Sequence, residues 1–426
     1  MTIAMLVISF FVFLFIGVPI AVSLGLSALI TIVFATDLNT SIIVQQGFNS
    51  LNSFPLMAIP FFILAGVLMG KGGVSSRLLD LARALVGFLA GGLAMVTVTA
   101  SMFFSAISGS GPAAVAAIGS FMIPSMKKNN YGHGFAAAIT ASSGSMGVLI
   151  PPSIPFVMYG ITGSVSIGAL FLAGIIPGIM VGVSLMILAY VISKKENYAG
   201  TGEVPTLKDV SKAFWNAKWA LLVPVIILGG IYGGFFSPTE SAAVAAAYAF
   251  LIGAFVYREL KWKDIYDSFA EAALINATTV IIIGFSISFA YVLTIEQIPV
   301  TIADFITGIS ESPFVILLIM LVVLLIVGMF IDTISAIVVL TPILLPIATE
   351  VGVDPIHFGV VMVLSLAIGF VTPPLGVNLF VASGVGNVHF ESIVRAAIPM
   401  IIVMILCLVL VAGIPALSMF LPEIFE

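Results

Sequence analysis

The stretch SMGVLIPPSIPF (145–156) decides the fold, because AIGFVTPPLGVN (367–378) repeats it 222 residues later. The same offset pairs Pro124 with Pro346, Gly147 with Gly369, Pro151-Pro152 with Pro373-Pro374, and Pro177 with Pro399. Each stretch sets Gly and Pro-Pro inside an otherwise apolar run. Proline has no N–H to donate and its ring clashes with the preceding turn, so each run reads as a helix broken near its middle. Weaker likeness extends upstream, where GVPIAVSLGLSALITIV (17–33) resembles SPTESAAVAAAYAFLIG (237–253), each a Pro-initiated apolar span.

Composition places this repeat in a membrane. Hydrophobic residues make up 61% of the chain, charged residues 8%, and the mean hydropathy is +1.29, far from the balance of a soluble domain. Apolar segments long enough to cross a hydrocarbon core of about 30 Å recur throughout. The net charge of −5 is spread over loops, so nucleic acid finds no basic footprint. The single cysteine, Cys407, excludes an intrachain disulfide and a Cys-rich metal site, and its apolar surroundings predict a buried thiol. MTIAMLVISFFVFLF at the start has no basic n-region or cleavage site and is expected to be a retained membrane segment. No glycine-rich loop ending in Lys and Ser/Thr is present to cradle a nucleotide. Energy for any transport would then come from an ion gradient or a partner.

The basic residues fall into groups at Lys71/Arg77/Arg83, Lys127/Lys128, Lys194–Lys218, Arg258/Lys261/Lys263 and Arg395, which the positive-inside rule puts on the cytoplasmic side. Loops holding Asp37, Glu296/Glu311, Glu350/Asp354 and Glu423/Glu426 fit the other side. Spans are expected near 1–16, 18–35, 50–70, 134–163, 167–193, 219–235, 239–257, 276–294, 357–385 and 393–421. Two segments refuse this pattern. Between Arg83 and Lys127 both ends are basic, with SAISGSGP (105–112) in the apolar interior; its counterpart 313–348 has acidic ends and a tip at 329–333. A re-entrant hairpin satisfies both ends in each case, and irregular backbone at that depth must lie against protein or a water-filled cavity. The hairpins then open from opposite faces, which makes the repeat inverted. Amphipathic stretches at 71–86 and 297–309 suit interfacial arms, or ordinary loop helices.

An all-α integral membrane fold follows, an inverted repeat with two re-entrant hairpins and two broken helices. This is the pattern of a secondary transporter, whose broken helices build a binding site near the bilayer midplane. Its expected regions are 1–85 (first scaffold helices and arm), 86–193 (first transport part), 194–218 (cytoplasmic linker), 219–310 (second scaffold helices and arm) and 311–426 (second transport part). Carbonyls freed at a helix break, with a hydroxyl, make an oxygen cage for a hard cation, and half-helix N-termini suit a carboxylate. The first repeat offers Ser105, Ser108, Gly109 and Ser110 opposite Gly147, Ile150 and Pro151. The second offers Gly328 and Asp332 opposite Gly369, Thr372 and Pro373. Gly, Ser and Pro at such places also permit close packing and kinking. Asp332, a carboxylate inside an apolar segment, carries about 3 kcal/mol of insertion cost and should face a cavity or partner; it binds a cation, organises the tip, carries a proton or caps the next helix. Asn378 offers a donor and an acceptor to a substrate or to freed backbone groups, and Ser153 is a weaker version of the same idea. Glu240 reads as a helix-start residue. His133, His357 and His389 are scattered and form no metal set.

Several motifs in one order carry a further likeness: GVPIAVSLG (17–25), FFSAISGSGPAAVAAIG (103–119), GVLIPPSIPFVMYG (147–160), GIYGGFFSPTESAAVAA (230–246), FAYVLTIEQIP (289–299) and TPPLGVNLFVASG (372–384). With them the chain resembles, over essentially its whole length, the large membrane (M) subunit of tripartite ATP-independent periplasmic (TRAP) transporters, the DctM-like family. The resemblance implies a small membrane subunit as a separate chain and a periplasmic substrate-binding protein that delivers an organic acid. It also implies sodium as the coupling ion and an elevator-like motion in the bacterial inner membrane. Carried onto this sequence, one Na+ lies near Ser105, Ser108, Gly147, Ile150 and Pro151, and another near Gly328, Gly369, Thr372 and Leu375. Ser108, Ser153 and Asp332 lie at or beside the substrate, with Asn378 as a further candidate from its position.

The leading expectation is Na+-coupled uptake of a C4-dicarboxylate, sialic acid or related carboxylate. A stand-alone cation-coupled anion carrier of the divalent anion/Na+ symporter type is the alternative. An intramembrane enzyme would need a clustered nucleophile and base or a metal set, and neither is present in the sequence pattern. Hairpins closed at their tips suit alternating access better than a continuous pore.

Overall fold

The computed structural model describes residues 2–36, 38–200, 202, 204–298, 300–302, 308 and 312–425. The acidic loop positions Asp37, Glu311 and Glu426, and much of the 297–309 arm, lie outside them. Every regular element among the described residues is helical. The first repeat comprises α1 (Thr2–Phe15), α2 (Ile20–Ala35), α3 (Ser41–Leu51), α4 (Ala58–Lys71), α5 (Val74–Val86), α6 (Gly92–Ser108), α7 (Gly111–Lys128), α8 (His133–Gly144), α9 (Ile154–Gly163) and α10 (Ile167–Lys195). The second comprises α11 (Leu207–Tyr232), α12 (Pro238–Leu251), α13 (Trp262–Ile295), α14 (Pro313–Gly328), α15 (Thr333–Glu350), α16 (Pro355–Gly369), α17 (Val377–Gly386) and α18 (Phe390–Gly413), and α19 (Ala416–Phe425) closes the chain. Seven helical segments among the described residues are long and apolar enough to cross a membrane.

The internal repeat is visible in the backbone. Helix α15 starts and ends 222 residues after α7, and α16 starts 222 residues after α8. Both breaks contain a cis Pro-Pro bond, at Pro151-Pro152 and at Pro373-Pro374. The repeats interlock: the second hairpin helix of one packs on the post-break helix of the other, α7 on α17 and α15 on α9. Hairpin α6–α7 lies against α8 and its 3₁₀ extension Ser145–Val148, and hairpin α14–α15 against α16. Helices α1–α4 and α11–α13 form a separate layer in which α12 packs on α4 and α13 on α2, α3 and α4. This layer meets the hairpins through α4 against α6 and α13 against α15.

Several boundaries differ from the sequence reading for local reasons. The expected span 50–70 is interrupted, because Pro55 withdraws a donor and leaves a 3₁₀ turn at Phe54–Met57 between α3 and α4. Its counterpart lacks proline, so α13 runs unbroken for 34 residues rather than only 276–294. Helix α11 begins inside the expected linker because Thr206 and Asp209 form a capping box. The last expected span, 393–421, divides at Gly413, and Pro415 precedes the separate helix α19. At α12 the Ser237 hydroxyl accepts from Glu240 N at 3.3 Å while the Glu240 carboxylate accepts from Ser237 N at 2.7 Å. Glu240 is thus a capping residue with Ser237 as its partner, and the Thr239 hydroxyl donates to Phe54 O.

Candidate functional site

Both hairpin tips and both helix breaks converge on one cavity of about 220 Å³. Ser108, Gly109 and Ser110 reach it from the first hairpin, Asp332 and Thr333 from the second, Val148 and Phe370 from the breaks. The scaffold layer closes it with Gly66 of α4 and Thr279 of α13. Its walls are mostly apolar, and no basic side chain is among the described residues lining it.

Glycine makes each tip-to-break junction possible. A Cβ on Gly147 would sit 2.5 Å from Ser110 O and 2.9 Å from Gly111 N, and a Cβ on Gly369 would collide with the Gly328 backbone. Backbone hydrogen bonds tie the same junctions, from Ile154 N to Gly109 O at 3.4 Å and from Leu375 N to Met329 O at 3.3 Å. Gly109 turns the first tip at φ +62°, a conformation open to glycine at little cost.

Around the first break, Pro151 and Pro152 have no N–H, so Gly147 O and Val148 O lose their α-helical donors. The Ser153 hydroxyl donates to Val148 O and also accepts from Phe156 N at 3.3 Å, capping α9. Ser153 is fully buried and does not line the cavity. The Ser105 hydroxyl on α6 is buried and has no hydrogen-bond partner among the described residues. Ile150 donates its N–H to Met146 O and packs its side chain against Gly178. Helix α6, with its partnerless hydroxyl, packs on the turn whose Gly147 carbonyl has lost its α-helical donor, and such oxygens suit a small hard cation such as Na+. Ser105, Ser108, Gly147, Ile150 and Pro151 would hold it.

The second break is more open, with Leu375 45% exposed. Thr372 donates its hydroxyl to Ile368 O at 2.7 Å and its N–H to Gly369 O at 3.0 Å. The Asp332 carboxylate accepts from Ser335 N at 3.0 Å and from the Ser335 hydroxyl, capping α15. It lines the cavity as well, so capping and exposure to the cavity coexist. Ser110 occupies the matching position on α7 and makes no side-chain cap. Asn378 is fully buried and stands behind the cavity wall: its Nδ2 donates to Ala141 O at 3.1 Å and to Ser145 Oγ at 3.2 Å. Thr279 escaped the sequence reading, and Thr333 was read only as part of the tip. Thr333 carries a buried hydroxyl without a partner among the described residues, and its place one residue after Asp332 was the available signal. Thr279 sits in an apolar run and carries no such signal.

Broken helices and hairpin tips meet around one half-open cavity, an arrangement that suits a membrane carrier. A family model described as "Tripartite ATP-independent periplasmic transporter, DctM component" matches residues 7–417, and the chain belongs to that family. It is 52% identical over 96% of its length to the isethionate TRAP transporter permease protein DctMQ of Oleidesulfovibrio alaskensis, of which it spans 65%. It is 44% identical to the C4-dicarboxylate TRAP transporter large permease protein DctM of Pseudomonas aeruginosa, over 94% of each chain. It is 39% identical to the sialic acid TRAP transporter large permease protein SiaM of Vibrio cholerae, over 97% of this chain and 96% of that one. The fold is similar to that of the Alcanivorax borkumensis YdaH transporter, with a TM-score of 0.65 at 14% identity over 87% of this chain and 86% of that one. These relatives are transporters and permeases, which agrees with a chain that is not an enzyme.

Proposed function

We propose that this chain is the large permease of a Na+-coupled TRAP transporter that takes up a small organic acid across the bacterial inner membrane. The observation that carries the reading is the meeting of two matched tips and two matched breaks at one cavity. The hairpins are re-entrant, each tip lying at mid-bilayer depth. Sodium binds at the two breaks, and the acid lies between the tips.

The electrostatics distribute the roles. The N-terminus of α15 is already satisfied by Asp332, whereas that of α7 has no side-chain cap. The positive end of α7, with the Ser108 and Ser110 hydroxyls, therefore takes the anionic group of the substrate. Asp332 faces its neutral polar groups, and bound Na+ offsets the repulsion between the two anions. The scaffold face is apolar apart from Thr279, and Gly66 lets the first tip approach closely, since a Cβ there would lie 3.2 Å from Ser108 Cα. Such a smooth face suits elevator movement of α6–α10 and α14–α18 past α1–α4 and α11–α13. A separate small membrane subunit and a periplasmic binding protein complete the system, the latter supplying the acid. Relatives named for C4-dicarboxylate, sialic acid and isethionate support a small organic anion as the substrate class.

The test is uptake into proteoliposomes containing the chain, its small subunit and its binding protein. Accumulation is expected only with an inward Na+ gradient, and equal uptake in potassium would overturn the coupling. With two Na+ per substrate, a dianion moves no net charge while a monoanion moves one, about 2.3 kcal/mol per 100 mV. A response to imposed potential therefore identifies the charge class of the acid.

A further inference from the structure

Asn378 is out of place by the molecule's own symmetry. The residue 222 positions earlier is Phe156, buried and packed on Gly174. A break of this shape therefore does not need an amide there. At Ser145, α8 tightens into the 3₁₀ turn that carries Gly147, and the Ser145 N–H turns to the carbonyls of Ser142 and Ser143. Ala141 O thereby loses its helical donor. The Asn378 amide, arriving from the other repeat, donates to that carbonyl and to the Ser145 hydroxyl. It also stands against the first turn of α7, 3.4 Å from where a Cβ on Gly111 would be. One side chain of α17 thus touches the break and the tip that together frame the first oxygen cage.

We propose that Asn378 is a positioning residue for the first Na+ cage: its amide fixes the 145–148 turn so that Gly147 and its carbonyl stay seated on the Ser110 tip. The inference rests on the Na+-coupled reading above. Movement of the second repeat's half-helix is then felt at the first repeat's ion without either ion or acid touching Asn378. The role depends on donation by Nδ2. The Oδ1 atom is buried without a partner among the described residues and is not required to bind the ion.

The test is thermal unfolding of the full chain in detergent, titrated with NaCl at constant ionic strength against KCl. Wild type is expected to show a Na+-specific stabilisation with a defined half-saturating concentration. Asn378→Asp and Asn378→Leu each remove the donor at similar volume and are expected to raise that concentration roughly tenfold, the worth of two ordinary hydrogen bonds. Ser145→Ala removes one acceptor with little risk to folding and is expected to raise it roughly threefold. If Asn378→Asp lowers the half-saturation while Asn378→Leu raises it, an oxygen at this position binds the ion and the positioning role is wrong. If the variants lose stability in KCl while their half-saturation is unmoved, Asn378 is only packing, and the proposal is equally wrong. A wild type without any Na+-specific shift overturns the coupled reading itself, an outcome distinguishable from the other two.

Discussion

Replacing Gly147 by alanine is the sharpest single perturbation of the junction between tip and break. The added methyl carbon would lie 2.5 Å from Ser110 O and 2.9 Å from Gly111 N. Both neighbours are backbone atoms, so no side chain can swing aside. Reaching ordinary van der Waals contact requires the tip and the break to part by about 0.9 Å. Overpacking of this kind costs about 1–3 kcal/mol in a close-packed interior. The strain falls on the cage geometry, because the displaced groups are the Ser110 carbonyl and the turn bearing the Gly147 carbonyl. Since 1.4 kcal/mol is tenfold in an equilibrium constant, Na+ affinity should drop by roughly 5- to 150-fold. The assay is the Na+ dependence of uptake in proteoliposomes, with binding protein and labelled substrate held constant. A Gly147→Ala variant that takes up substrate with the Na+ dependence of wild type would refute the idea that this junction frames an ion site.

Other expectations follow from the same geometry. Gly70 and Gly229 are helical and have nothing within 4 Å of a built Cβ, so alanine at either should raise stability by up to about 1 kcal/mol, read as a higher Tm with uptake unchanged. Ser105→Ala removes a buried hydroxyl that has no partner among the described residues; Tm should hold or rise while half-saturating Na+ increases several-fold, and an unchanged titration would argue against Ser105 as a ligand. At Asp332, asparagine should preserve the α15 cap and alanine should lose about 1 kcal/mol. Uptake should fall in both variants if the carboxylate faces substrate, and full uptake by Asp332→Asn would leave capping as its whole role. Arg77 pairs with Glu259 at 2.6 Å and stacks on the Tyr257 ring at 3.7 Å, yet this pair is partly exposed, so Arg77→Ala should cost under about 1 kcal/mol and spare transport.

What could be read from the residues alone was governed by how strongly each feature is written in local chemistry. Paired Pro-Pro breaks are covalent facts about missing donors, so both broken helices and their 222-residue spacing were legible. The hairpin tips followed from charge, since Arg83 and Lys127 leave a single span no consistent orientation. Helix ends were harder, because they depend on caps and neighbours: Pro55 interrupts one repeat while the matching stretch of α13 continues, and Asp209 starts α11 within a polar linker. The candidate site was legible as a set of tips and breaks but not in its division of labour. That Ser153 serves its own helix, and that Asn378 reaches α8 rather than the cavity, depends on contacts between segments 5 and 237 residues apart. Thr279 joins the cavity only through packing of the scaffold against the hairpins, which no local pattern encodes.

The account stands on the two tips facing one shared cavity. Ala113 and Ile334 line that space from opposite hairpins, so cysteines at these two positions, in a Cys407→Ser background, report it directly. Treatment of native membranes with a short bifunctional thiol reagent should lock the double variant into an intramolecular cross-link that neither single variant can form. A double variant that labels freely at each cysteine yet never cross-links would place the tips apart and contradict the shared site.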